Sequence, residues 1–133
     1  MAQTKKWQKL TNQRTQILEF MQTAKNHPTA EDVYQKLRPI IPRLSLSTIY
    51  RNLKSLELEK VIISIKTPDK KIHYEISGPD HGHFFCHKCG QLSQLPLVEL
   101  IDIKNRLKVK GYKAKKFNLV IEGVCPQCSK KEF

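Results

Sequence analysis

Every cysteine of the chain lies in one of two Cys-x-x-Cys units, Cys86/Cys89 and Cys125/Cys128, with a long insert between them. Each unit can present two thiolates from one tight turn, and two such units close a tetrahedral site around a single Zn²⁺. The insert must then fold so that its two ends meet. Gly90, directly after the first unit, helps the chain turn back. Two other uses of paired cysteines compete with this one and fit less well. Disulfides need an oxidising compartment, and a redox dithiol needs a clear βαβ setting, which neither pair has. The spacing therefore predicts structural zinc on Cys86, Cys89, Cys125 and Cys128.

Within the insert, Pro96 can open a helix with Leu97, Leu100, Ile101 and Leu107 among its apolar positions, and Gly111 is placed to stop it. Strands are expected on either side, over Gly90–Leu95 and Lys113–Glu122. The second alternates roughly, Phe117, Leu119 and Ile121 against Asn118, Val120 and Glu122, so both of its faces carry apolar residues. A chain of 133 residues in two parts gives each part a thin core, which calls for a metal staple or a second subunit. A homodimer would cover the excess apolar surface; the first half of the same chain is the alternative.

The first half reads as three helices and a hairpin. Thr11 can cap a helix running to Ala24, with Ile17, Leu18 and Met21 inward. Pro28, Thr29 and Asp32 announce a second helix ahead of Ala30, Val33, Tyr34 and Leu37, and Pro39 and Pro42 end it. A third begins near Ser45 or Ser47 and buries Leu46, Ile49, Leu53 and Leu56. Strands at Val61–Lys66 and Lys71–Ile76 flank the turn Thr67-Pro68-Asp69-Lys70. This order is that of a winged helix-turn-helix domain. Ser47, Thr48, Arg51, Lys54 and Ser55 would then face a major groove, with Tyr50 on the flank, Arg51 best suited to read a base edge, and Lys70 and Lys71 to meet phosphate. The alternative is that these residues only solvate an outer helix face. The expected class is α+β: a winged-helix domain over 1–76, a hinge at 77–80 and a small α/β zinc-binding dimerisation domain over 81–133.

Charge favours an acidic partner. The net charge is +12, and residues 1–76 alone hold fourteen Lys/Arg against seven Asp/Glu. Double-stranded DNA fits such a balance. No apolar run approaches the roughly 20 residues needed to cross a bilayer, and Met1–Leu10 lacks the apolar stretch of a signal peptide, so the expected location is the cytoplasm.

The histidines suggest a second metal. His81 and His83 are two residues apart, so on an extended segment both rings project from the same side. Glu75 is expected on the outward face of the second hairpin strand with His73, leaving Ile72, Tyr74 and Ile76 inward. His27 sits in the bend between the first two helices. A metal on His27, Glu75, His81 and His83 would tie the two domains together across Ser77-Gly78-Pro79-Asp80. His73 and His87 read as ordinary surface histidines.

Taken together, these segments carry a resemblance. Leu10-Thr11-Asn12-Gln13-Arg14, His27-Pro28-Thr29-Ala30-Glu31-Asp32-Val33-Tyr34, Leu46-Ser47-Thr48-Ile49-Tyr50-Arg51-Asn52-Leu53, His81-x-His83-x-x-Cys86-x-x-Cys89-Gly90 and Gly123-Val124-Cys125-x-x-Cys128 resemble the ferric uptake regulator family over nearly the whole chain. The resemblance implies a homodimeric winged-helix repressor. It adds Arg14 to the candidate DNA contacts and places the family's Tyr-Arg element at Tyr50-Arg51. It also implies structural zinc on the four cysteines and a regulatory Fe²⁺ or Mn²⁺, with Zn²⁺ a further option, on His27, Glu75, His81 and His83. Gln94 stands where a further carboxylate is usual; its amide can lend an oxygen but no charge. The His27 and Glu75 spacing is closest to the peroxide-sensing branch, in which iron-driven oxidation of a ligand histidine releases DNA. The strand bearing an extra site in some iron sensors reads Lys115-Lys116-Phe117 here and does not support one. Iron, manganese and zinc uptake regulation remain alternatives to peroxide sensing.

Other classes fit less well. A metallohydrolase needs a second acid or base and a substrate pocket, neither of which the sequence signals. A zinc-ribbon protein-interaction module would keep the cysteines and dispense with DNA contacts. Neither an enzyme nor an organic cofactor is expected.

Overall fold

Thr29 starts a helix because its hydroxyl accepts the Asp32 N–H at 3.2 Å while the Asp32 carboxylate accepts the Thr29 N–H at 3.0 Å. This reciprocal capping box satisfies two N–H groups that a helix start otherwise leaves unpaired. The resulting helix, α2 (Ala30–Leu37), follows α1 (Ala2–Thr23) and precedes α3 (Leu46–Leu58). Ser45 caps α3, its hydroxyl accepting from the Thr48 N–H at 3.2 Å. The computed structural model describes residues 2–24, 27–79, 81–95, 98–115 and 117–130, with the backbone alone at 2–11 and 98–100.

The chain divides into two compact units, Met1–Lys66 with Lys70–Ser77, and Thr67–Asp69 with Gly78–Phe133. In the first, an antiparallel hairpin follows the helices: β1 (Ile62–Lys66) pairs with β2 (Ile72–Ile76), Ile62 opposite Ile76 and Lys66 opposite Ile72. Ile17 of α1, Val33 of α2, Ile49, Leu53 and Leu56 of α3 and Ile62 of β1 meet in one core with at most 1% exposure each. Burying an aliphatic side chain of this size contributes about 1.5–3 kcal/mol, so this contact holds α3 at a fixed orientation. Three helices and a hairpin form the expected winged helix-turn-helix arrangement.

The second unit is mixed α/β. Its sheet has the order β4-β3-β5, with β3 (Gly82–Cys86) antiparallel to β4 (Leu92–Leu95) and parallel to β5 (Val120–Gly123). Helix α4 (Val98–Val109) connects β4 to β5, and the short α5 (Pro126–Lys130) follows the second cysteine pair. Gly111 ends α4 region as expected, its φ of 91° lying in the left-handed range that glycine adopts without strain. Among the described residues no helix is long and apolar enough to cross a membrane.

Several expectations need correction. Helix α1 begins at Ala2, which puts Thr11 inside it; no Gly or Pro interrupts residues 2–23, so nothing local stops the helix. The strand expected over Lys113–Glu122 is only Val120–Gly123, the stretch that finds a partner in β3. The segment around His83 is itself the central strand, and α5 was not anticipated. On β2, Ile72 is 45% exposed while His73 is 8% exposed, so His73 is not a surface histidine. A bridge between Thr29 and His73 accounts for this, because it lays the residues before α2 alongside β2. Pro96 and Asp80, the expected helix opener and the last hinge residue, and Leu97 and Lys116 lie outside the described residues, as do the side chains of Thr11 and Leu100.

Leu53→Ala should destabilise the first unit by about 2–5 kcal/mol, and Thr29→Ala by about 1 kcal/mol, with urea unfolding as the measurement. A smaller loss for Leu53→Ala than for Thr29→Ala would contradict this ranking of core over cap.

Candidate metal centres and nucleic-acid interface

Parallel pairing sets Cys86, the last residue of β3, opposite Gly123 of β5, two residues before Cys125. The two cysteine pairs are thereby brought together, and all four sulfur atoms lie within 4.8 Å of one another. Gly90 turns the first pair back, with φ 73° and its N–H donating to the Cys86 carbonyl at 2.9 Å. Cys86 Sγ accepts from the N–H groups of Cys89 at 3.5 Å and Cys125 at 3.3 Å. These donors hold the Cys86 thiol down, to about 6. Cys128 is pushed the other way, to about 12, by its hydrogen bond with Cys125 and by burial. Four crowded thiols cannot all ionise without a cation.

The donor set fits zinc. Cys89 Sγ and Cys125 Sγ are 3.8 Å apart, and a tetrahedron of ~2.3 Å Zn–S bonds has an edge of about 3.8 Å. None of the four is in a disulfide. The unit thus contains a four-cysteine metal-binding cluster suited to structural Zn²⁺.

The nitrogen and oxygen donors form two pairs, one in each unit. In the first, His27 Nε2 lies 2.7 Å from a Glu75 carboxylate oxygen, both side chains nearly buried. Tyr74 N–H donates to the Pro28 carbonyl at 2.8 Å, which holds the stretch before α2 against β2 and sets His27 beside Glu75. In the second, His81 Nε2 and His83 Nε2 approach to 3.1 Å. His81 Nδ1 donates to the Pro79 carbonyl at 2.8 Å, since a carbonyl can only accept. In the neutral ring Nε2 is then the unprotonated nitrogen, the form a metal needs. Gln94 on β4 is directly opposite His83 on β3, and its side chain is exposed. Side chains opposite one another share a sheet face, so residue 94 stands beside the His83 ring. These are donors for a divalent cation of intermediate hardness, such as Fe²⁺, Mn²⁺ or Zn²⁺.

On α3, Arg51 and Lys54 are exposed, on the face opposite Ile49, Leu53 and Leu56. Ser47 and Thr48 lie in its first turn beside the Ser45 cap, where Thr48 Oγ1 is 2.8 Å from Ser45 Oγ. Tyr50 is 43% exposed and donates its hydroxyl to Glu31 of α2 at 2.6 Å. That bond pushes the Tyr50 phenol up to about 12 and lowers the Glu31 carboxyl. Arg14 is turned to Glu59, at the end of α3, and makes an ion pair with it. Lys70 is exposed in the hairpin turn with φ 67°, a left-handed conformation.

Two partners were not foreseen. Glu31 orients Tyr50, and nothing in the spacing of 31 and 50 signals it. His73 donates to the backbone of His27, and the period-2 alternation that grouped it with Glu75 was the available clue.

Similarity to known proteins agrees with this geometry. Residues 5–122 match the model of the ferric uptake regulator family. The peroxide operon regulator of Bacillus subtilis is 32% identical over 125 residues, covering 93% of this chain and 86% of that protein. The crystal structure of the Campylobacter jejuni peroxide stress regulator superposes with a TM-score of 0.83 at 26% identity, covering 96% of both chains. The ferric uptake regulator of Helicobacter pylori shares the fold, with a TM-score of 0.79 at 24% identity over 89% of this chain and 80% of that one. With the family match spanning nearly the whole chain, a winged helix-turn-helix unit and a four-cysteine metal cluster, this chain belongs to the ferric uptake regulator family, whose members are metal-dependent DNA-binding transcription factors rather than enzymes.

Proposed function

We propose that the chain is a metal-dependent transcriptional repressor that binds operator DNA as a homodimer and is released by peroxide. The observation that carries this reading is the His27–Glu75 pair at 2.7 Å, a ready half of a metal site built on the hairpin of the winged-helix unit. His81 and His83 would supply the other half, and these four side chains, sharing one divalent ion, would favour the hinge angle at which two recognition helices of a dimer meet successive major grooves. Metal then acts as a ligand of the DNA-competent state, and linkage requires that DNA tighten metal binding by the same factor. Bound Fe²⁺ supplies the chemistry by which peroxide adds an oxygen atom to a ligand histidine. The similarity to peroxide regulators of Bacillus subtilis and Campylobacter jejuni supports this signal.

The remaining assignments follow from the same reading. Arg51 reads a base edge, Ser47, Thr48, Tyr50 and Lys54 line the groove, and Arg14 and Lys70 lie along the phosphates. Ile101, Val109, Tyr112 and Ile121 of the second unit are all 45% or more exposed, which supports burial by a second subunit. Zinc on the four cysteines holds that unit folded.

Gln94 favours a second reading. A neutral, exposed amide beside His83 leaves one carboxylate among the candidate ligands, a poorer set for Fe²⁺ or Mn²⁺ and a better one for Zn²⁺. In that case the protein senses metal supply without peroxide chemistry.

For DNA reading, Arg51→Ala should remove about 1–3 kcal/mol of preference for operator over random DNA, while Lys70→Ala should weaken both alike. Fluorescence anisotropy decides it, and equal losses on the two DNAs for Arg51→Ala would refute base reading.

For the staple, Cys86→Ser or Cys125→Ser should abolish zinc, dimer and folded second unit together, because metal binding energy is folding energy in so small a unit. A folded, zinc-free dimer seen by sedimentation and metal analysis would count against it.

For the switch, His27→Ala should keep zinc, fold and dimer while losing metal-dependent operator binding. Peroxide should add the mass of one oxygen atom to the Fe²⁺-loaded wild type and leave the Mn²⁺-loaded form unchanged; the absence of that mass increase selects the metal-supply reading. Gln94→Glu should tighten Fe²⁺ and Mn²⁺ if residue 94 reaches the ion. Full metal-dependent DNA binding by His27→Ala would sink the switch in either form.

A further inference from the structure

We propose that His73 is a positioning residue for the regulatory metal, holding the donor geometry of His27 through the His27 backbone. The inference rests on the reading of His27 as a metal ligand. His73 Nδ1 lies 2.7 Å from the His27 carbonyl oxygen. A carbonyl has no proton to give, so Nδ1 carries the hydrogen, and in the neutral ring Nε2 is the bare nitrogen. That Nε2 is buried without a hydrogen-bond partner among the described residues. An aromatic hydrocarbon would fill the same space without leaving a buried acceptor unpaired, so packing alone does not account for an imidazole here. Among the described residues, the one polar contact the ring makes is the one to His27.

The backbone around His27 shows what that contact does. Segment 27–29 lies along β2 through the Thr29–His73 bridge and the bond from Tyr74 N–H to the Pro28 carbonyl at 2.8 Å. The His73 ring extends the attachment by one more carbonyl, that of His27 itself. Pro28 adds a second restraint, because the residue before a proline is confined to extended conformations. Glu75, two residues along β2 from His73, places its carboxylate 2.7 Å from His27 Nε2. One strand therefore carries one ligand directly and holds the other by its backbone, so the pair is set before an ion arrives. Partners beyond the ligands themselves typically change metal affinity by about 10–100-fold when removed.

The test is a titration of Mn²⁺ into the zinc-loaded, full-length protein, with free Mn²⁺ read by its paramagnetic resonance signal. His73→Phe should bind Mn²⁺ about tenfold or more weakly, with zinc content and circular dichroism unchanged. His73→Asn, whose side-chain N–H falls near the position of Nδ1–H, should recover most of the affinity. Wild-type affinity in His73→Phe overturns the proposal, and so does a His73→Asn protein as weak as His73→Phe. His27→Ala separates the two levels of inference: Mn²⁺ affinity kept by His27→Ala defeats the regulatory reading itself, whereas affinity lost there and kept in His73→Phe defeats only the positioning role. Nitrogen-15 resonance of the wild-type protein, zinc-loaded and free of Mn²⁺, gives a check independent of how any variant folds. It should show the His73 proton on Nδ1, and a proton on Nε2 instead overturns the proposal.

Discussion

The pairing of β3 with β5 is the contact on which the second unit depends. It joins strands separated by the whole of β4 and α4, and parallel pairing of this kind contributes nothing until a long loop has closed. Loop closure over the 36 positions from Cys89 to Cys125 costs about 3 kcal/mol in its length-dependent part alone. Structural zinc in small peptides contributes about 10–16 kcal/mol, which outweighs that cost several-fold. The pairing and the thiol cluster therefore support each other: the strands align Cys86 with Gly123, and the cluster locks the ends of the loop. Packing at Gly123 is correspondingly close, since a Cβ there would sit 3.0 Å from the Phe84 ring.

Strand β2 has the corresponding position in the first unit. One edge pairs with β1 and the other takes up the residues before α2 through the Thr29–His73 bridge. Its side chains include Tyr74, buried in the core, and His73 and Glu75, both engaged with His27. Helix α3 is held from the other side by Ile49, Leu53 and Leu56, each fully buried. Its outer face is then free of packing duties, and Arg51 and Lys54 can be exposed there without loss of stability. One face of α3 thus folds the unit, and the other is left for the DNA contacts proposed above.

Much of this was legible in local patterns. The capping box at Thr29 and Asp32, the Ser45 cap, the spacing of Ile49, Leu53 and Leu56 and the hairpin all involve residues within a few positions of one another, where side-chain chemistry acts on its own backbone. The cysteine pairs were legible for a related reason, since each is a two-ligand unit in itself. The start of α1 was missed because Thr11, a good cap in isolation, lies in a stretch where nothing ends the helix. The length of β5 was overestimated because alternation marks where a strand can form, whereas only pairing with β3 makes one.

His73 marks the boundary between the two kinds of information. By itself the sequence determined the helices and hairpin of the first unit, the four-cysteine site, the candidate ligands and the exposed basic face, because each rests on periodicity or on ligand spacing along the chain. Tertiary structure decided which neighbours those residues meet: His27 with Glu75 across 48 positions, Tyr50 with Glu31, Arg14 with Glu59, and the His73 ring with the His27 carbonyl. Such contacts are set by how the strand and helices pack, and a residue's role in them depends on a distance through space that its position along the chain does not encode.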